Sequence, residues 1–268
     1  MPTMRSKIHP VVPAESRRAF RGGGVFRSAL VAAWLFALPL VGVAAEFWPR
    51  AGSAHTGPAL TPSGLPVSNP PPPGTQRRLA NFLGEAASDE VRHVAHWAVD
   101  SGNNTGMPYL VIDKVDAKVY AFDATGRLKD VQPALLGLGR GDYSAPGIGS
   151  KKMTAIPRED RTTPAGRFVA TLGRDPQGKE ILWVDYETAV ALHSVSRGTP
   201  VEQRAQRLRS ATPDDNRISY GCINVPVRFY DEIVSPAFNR SGGIVYILPE
   251  QSTAREFFGS YDVEAETL

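Results

Sequence analysis

From Pro108 onward the chain is a succession of short strand-like runs, each closed within a few residues by glycine, proline or an Asp/Asn turn. Residues 109–113 and 118–122, joined through 114–117, have the Val, Ile, Tyr and Phe content of strands, as do 131–138, 167–172, 181–186, 189–193 and 244–248. Three modest helices are expected beside them. The first spans 88–101, with Ser88 as N-cap, Asp89 and Glu90 in the first turn, Val91, Val94, Ala95 and Ala98 at helical spacing, and Gly102 after its end. The second spans 200–209, opened by the capping box of Thr199 and Glu202 with Pro200 at the first helical position; Arg204, Arg207 and Arg209 lie on its polar face. The third follows Pro226, to about residue 234. Many short strands with few helices predict a mainly β (α+β) domain, a sandwich or a partly open barrel.

The 268 residues carry a net charge of +3, but the charge is divided unevenly. Arg5, Lys7, Arg17, Arg18, Arg21 and Arg27 stand against Glu15 in residues 1–45, a net of +5, which leaves the rest of the chain at −2. The folded part therefore has no electrostatic reason to bind nucleic acid. The basic region runs into a charge-free apolar stretch, residues 28–45, that ends in small residues. It reads as an export signal, with Val43 and Ala45 suited to a cleavage site, or as a membrane anchor if it is retained. Ser16-Arg17-Arg18-Ala19-Phe20 resembles the twin-arginine export signature. The expected location is the periplasm or cell envelope, with membrane contact only through this segment. Residues 46–78 form a Pro/Gly-rich linker. The remaining boundaries are a helix packed on the domain at 79–105, the domain proper at 106–250 and a C-terminal tail at 251–268.

Cys222 is the only cysteine, so an exported chain has no internal disulfide and exposes a thiol to an oxidising compartment unless that thiol is used or buried. Gly221 before it allows a close backbone approach, and Pro226 after it suggests a helix start. The thiol is thus expected between a strand end and a helix N-terminus, whose partial positive charge would favour thiolate. A cysteine nucleophile needs a base. His9 falls in the leader, His55 in the linker and His93 and His96 on the first helix, which leaves His193 at a strand end. His93 and His96, three apart, lack further ligands for a metal, and the glycine-rich stretch 137–149 fits neither a dinucleotide fingerprint nor a P-loop. No metal or organic cofactor is implied.

His193-Ser194, then Ser219-Tyr220-Gly221-Cys222-Ile223-Asn224, preceded by Arg161-Thr162-Thr163-Pro164-Ala165-Gly166-Arg167-Phe168, resembles the YkuD-type L,D-transpeptidases of bacterial cell walls over about residues 108–250. The resemblance implies a YkuD-type β-sandwich with a few short helices. It implies that Cys222 attacks the carbonyl between diaminopimelate (or lysine) and the terminal D-alanine of a tetrapeptide stem, with an amine acceptor resolving the thioester as a 3-3 cross-link. By position His193 would be the base and Ser194 would orient it. The amides of Gly221 and Cys222 would form the oxyanion hole, with Ser219 and Tyr220 beside them. Arg161, Asn224 and Arg217 would contact substrate. The partners implied are peptidoglycan stem peptides, with a second stem, a lipoprotein lysine, a D-amino acid or water as acceptor.

Two departures stand out: Tyr220 replaces a histidine usual in the family, and the stretch between His193 and Ser219 is long. That stretch holds the Thr199-capped helix, a candidate lid or acceptor-side wall. A sortase-like transpeptidase is an alternative, with Arg228 as its arginine, although its cysteine context differs. Papain-like and NlpC-like hydrolases place cysteine before histidine. A wall-binding module with a dead site is the alternative of a different class, kept open by Tyr220.

Overall fold

The structure is a computed structural model that describes Pro70, Pro72 and residues 74–265. The leader and most of the linker lie outside the described residues. Helix α1, Asp89–Asp100, forms where the Ser88 hydroxyl accepts from the Val91 amide and Asp89 and Glu90 meet the positive helix start. It buries Val91, Val94, Ala95, Trp97, Ala98 and Val99. No helix among the described residues is long and apolar enough to cross a membrane.

Strands β1 (Tyr109–Asp113), β2 (Lys118–Phe122), β3 (Leu128–Pro133), β5 (Gly166–Arg174), β6 (Glu180–Asp185), β7 (Val190–Ser194), β9 (Ile223–Val225) and β10 (Gly243–Ile247) make one sheet in the order β3-β2-β1-β10-β5-β6-β7-β9. The short β4 (Leu136–Gly137) pairs in parallel with β8 (Arg217–Ser219). Strand β5 explains how one sheet becomes two facing layers. Residues 166–170 pair with β10, whereas residues 171–174 pair with β6. Inward residues of the two halves, Leu110, Ile112, Val119, Val245 and Ile247 from one and Leu182, Val184, Leu192, Ile223 and Val225 from the other, share one apolar core. A second core covers the opposite face of β1, β2 and β10, where Trp97 stacks on Phe258 and meets Tyr246 edge-on. Phe258 comes from α5, Ala254–Phe258, a helix opened by the reciprocal Thr253 and Glu256 capping box. The architecture is mainly β and sandwich-like, with short helices.

Two expected elements are broken. The strand at 131–138 is two pieces because Pro133 has no N–H to continue a ladder, and β4 departs toward β8. The helix at 200–209 is a 3-10 turn, Pro200–Glu202, followed by α2, Arg204–Arg207, with Gln203 between them in the left-handed region at φ 47°. After Pro226 the chain forms α3 (Val227–Phe229), a π turn (Tyr230–Val234) and α4 (Ser235–Phe238).

Trp97 is buried between the α1 and α5 layers and the sheet. Trp97→Ala is expected to lower the unfolding free energy by about 3–5 kcal/mol, read from urea titrations. Val169→Ala, at a position 60% exposed on β5, should change it by less than about 0.5 kcal/mol.

Candidate active site

Cys222 lies in the tight passage from β8 to β9. The expectation of a helix start is overturned: Ile223–Val225 is a strand, and α3 begins only at Val227. The Ser219 hydroxyl closes the turn, donating to the Cys222 carbonyl (2.6 Å) and accepting from the Gly221 amide (3.1 Å). Gly221 holds φ at 129°, and a Cβ there would meet the Thr162 carbonyl oxygen at 2.8 Å. Only glycine fits that approach. Its carbonyl accepts from Thr163 Oγ1 (2.8 Å), and the same oxygen accepts from the Gly137 amide (2.8 Å). One hydroxyl thereby ties the cysteine turn to β4.

His193 enters the site through the parallel pairing of β7 with β9, with Leu192 opposite Ile223 and His193 opposite Asn224. Leu192 and Ile223 point into the core. Side chains alternate along a strand, so His193 and Asn224 share the other face, while the Cys222 sulfur, just before β9, meets the Ala189 carbonyl and the Ala191 amide of the chain that leads to His193. His193 Nδ1 lies 3.0 Å from the Ser194 carbonyl oxygen. A carbonyl only accepts, so Nδ1 carries the proton and Nε2 is the bare nitrogen.

Both groups favour their neutral forms. Burial pushes the Cys222 thiol up, opposed by the Ala191 amide and the positive charge of Arg204. Burial also pulls His193 down, with Lys179 and Arg204 adding to it against the Ser194 carbonyl contact and Asp175. The half-buried thiol points at the Ala189 carbonyl (3.8 Å). Burial thus favours a thiol at Cys222 and a neutral imidazole at His193, in place of the thiolate that a helix N-terminus would favour.

The other expected residues divide. Asn224 is fully buried; its Nδ2 donates to the Cys222 carbonyl (3.3 Å) and its Oδ1 accepts from Arg204 (2.8 Å). Arg161 lies with its guanidinium 4.0 Å from the ring centroid of Tyr220, two residues before the cysteine in the chain, and also donates to the Ile156 carbonyl. Arg217, expected to contact substrate, is engaged inside the protein. It is buried, donating to Glu250 Oε2 (2.6 Å) and to the Lys114 carbonyl (2.6 Å). Of the two amides assigned to an oxyanion hole, that of Gly221 is turned to Ser219. Arg228 is exposed on α3 and paired with Glu232. His93 and His96 turn to different partners, the Ser260 hydroxyl and the Ala80 amide.

Residues that support this turn carried no local signal. Lys114 is buried and donates to the Gly141 carbonyl (2.6 Å), Asp142 Oδ1 (2.8 Å) and the Thr163 carbonyl (3.1 Å). Thr163 was legible only as part of a turn, and Arg204 only as one of three arginines on a polar face.

No protein-family model and no curated protein matches the chain. Among solved structures the chain is similar to L,D-transpeptidase LdtMt1 in complex with imipenem, at 16% identity and TM-score 0.32 over 53% of this chain and 58% of that one. The match thus spans less than two thirds of that protein's length. It is also similar to the catalytic domain of the E. faecium L,D-transpeptidase, at 16% identity and TM-score 0.30 over 53% of this chain and 96% of that one. An L,D-transpeptidase from Mycobacterium tuberculosis H37Rv matches at 14% identity and TM-score 0.31 over 52% of this chain and 57% of that one.

Thr163→Val keeps the shape of the side chain but strands the Gly221 carbonyl and the Gly137 amide. It should cost about 1–3 kcal/mol of unfolding free energy, while Thr163→Ser retains most of the wild-type value. The rate of Cys222 alkylation by iodoacetamide should rise with pH to a midpoint above that of a free cysteine peptide. A midpoint at or below the peptide's would mean that burial does not govern the thiol.

Proposed function

We propose that the chain is a peptidoglycan L,D-transpeptidase of the cell envelope, with Cys222 as nucleophile and His193 as base. The reading rests on the resemblance of the cysteine and histidine segments together with one geometric observation. The Cys222 sulfur lies against the Ala189 and Ala191 backbone of the strand that carries His193, and His193 is held at Nδ1 so that its basic Nε2 is unprotonated.

In the first half-reaction Nε2 takes the thiol proton as Sγ bonds to the carbonyl carbon that joins the third residue of a stem to its terminal D-alanine. Concerted transfer suits a raised thiol pKa, because a free thiolate need not accumulate. The Cys222 amide is the donor available to the developing oxyanion, the Gly221 amide being engaged by Ser219. Collapse breaks the C–N bond, the imidazolium returns its proton to the leaving nitrogen, and D-alanine departs from a thioester. An amine of a second stem, a lipoprotein lysine, a D-amino acid or water then attacks that carbonyl, and the thiol is regenerated. Residues 1–45, as export signal or anchor, would bring the domain to its substrate. Arg161 stacked on Tyr220 walls the cysteine where the family has a histidine, and the 199–210 segment forms the acceptor side.

Intact-mass measurement of the protein with a disaccharide tetrapeptide tests the reading. A Cys222-dependent adduct that has lost D-alanine, or free D-alanine with 3-3 dimers, is expected for wild type. It should be absent from Cys222→Ala and reduced at least about 100-fold in His193→Ala. A reactive thiol that takes no stem would turn the assignment toward another acyl donor, such as a sortase-like substrate. A thiol modified only in denaturant would leave a wall-binding role.

A further inference from the structure

The residues between the two site strands do more than wall it. Glu202 Oε2 accepts from the Thr199 amide (3.0 Å) and from Arg204 Nε (2.9 Å), so the capping carboxylate of the 3-10 turn also aims the arginine that follows it. Gly198 makes room for this pair: at φ 60°, a Cβ on it would lie 2.1 Å from Glu202 Oε2 and 2.8 Å from Arg204 Nε. Buried Leu208 anchors the segment on the apolar side, and Arg207 bonds it back to the Glu202 and Asp215 carbonyls (2.7 Å each). The Arg204 side chain is only 14% exposed; its Nη2 donates to Glu202 Oε1 (3.3 Å), and its Nη1 donates to Asn224 Oδ1 at 2.8 Å. Asn224 in turn donates to the Cys222 carbonyl and sits opposite His193. An isolated surface arginine would need no such fixing.

We propose that Arg204 is a positioning residue for Cys222: its guanidinium braces the Asn224 amide against the cysteine carbonyl and brings a positive charge to bear on thiol and imidazole together. The proposal rests on the reading of Cys222 as nucleophile. The charge acts in one direction on both groups, favouring thiolate at Cys222 and neutral imidazole at His193. That is the combination a base-assisted attack requires, and it offsets part of what burial does to the thiol. Lys179 and Asp175 are the other charged groups felt at His193, and Glu202 is the anion beside Arg204. The segment that departs in length from the resembling family thus supplies the charge that the missing helix N-terminus does not.

The test is the pH profile of Cys222 alkylation by iodoacetamide in the full chain, which needs no peptidoglycan. Arg204→Met should move the midpoint up by about half to one pH unit, slowing alkylation at pH 7 roughly three- to tenfold. Arg204→Lys should restore most of that shift, since it returns the charge without the fork. Glu202→Gln removes the neighbouring anion and should leave the midpoint unchanged or lower. A midpoint unmoved in Arg204→Met overturns the proposal, as does an upward move of similar size in both Arg204→Met and Glu202→Gln, which would report a loosened segment. If Arg204→Met unfolds, Arg204→Gln, which also removes the charge, takes its place with the same upward shift expected. A wild-type thiol inert until denatured would overturn it as well. D-alanine release by wild type separates the two readings: release with an unmoved midpoint removes only the Arg204 role, and a moved midpoint without release removes only the substrate assignment.

Discussion

The Lys114 ammonium, buried and holding three oxygens at once, is the constraint on which the cysteine turn depends. It stands just past β1, where an ammonium without partners would lose several kcal/mol of hydration. Asp142 accepts from it and, through both carboxylate oxygens, from the Glu250 and Gln251 amides beyond β10. Glu250 accepts from Arg217 at the start of β8 and from the Gly141 amide. Two cations and two carboxylates therefore interlock segments more than a hundred residues apart. Burial pulls the Lys114 pKa down, and Asp142 and Glu250 oppose it, as expected of an ammonium retained inside by its partners. Removing one member would leave its partner buried and uncompensated, a larger loss than the net contribution of the cluster.

From Lys114 the path to the chemistry is short. Its third acceptor is the Thr163 carbonyl, the Thr163 hydroxyl holds the Gly221 carbonyl, and Ser219 closes the turn around Cys222. These contacts come from the backbone or from short side chains with few rotamers, so little entropy opposes the arrangement. The other wall is the β7–β9 pairing, where backbone register and the Ser194 carbonyl orient His193. A site built this way holds a thiol and an imidazole in their neutral forms. The low polarity that raises the thiol also strengthens the action of any charge that reaches it, and the guanidinium of Arg204 is placed to do so.

Legibility followed the range of the interactions. The ends of α1 were readable because Ser88, Asp89, Glu90 and Gly102 act within a turn of themselves. Strands β1 and β2 were readable to the residue because short runs rich in β-branched and aromatic residues, buried on both faces, are flanked by turn residues. The proline within 131–138 was a local sign of a break that the strand pattern concealed. The left-handed Gln203 was not readable, since the capping box before it and the apolar spacing after it both favour a continuing helix. Helix α5 fell beyond the last strand in what was read as a tail, although Thr253 and Glu256 have the spacing of a capping box.

Sequence alone determined the mainly β class and the turn glycines, and it singled out His193 and Cys222 as the candidates to examine, because each depends on period, backbone conformation or residue chemistry carried by a few neighbours. Tertiary structure decided which side chains serve the thiol. Arg217 and Arg204 look alike as residues in a polar stretch, yet one is consumed in a buried ion pair with Glu250 and the other is turned to Asn224. The direction of the Cys222 pKa was also decided there. Proximity to Pro226 suggested a helix dipole, but a strand intervenes and burial prevails. Charge, burial and hydrogen bonding at a point are sums over segments distant in sequence, and those sums exist only once the chain has folded.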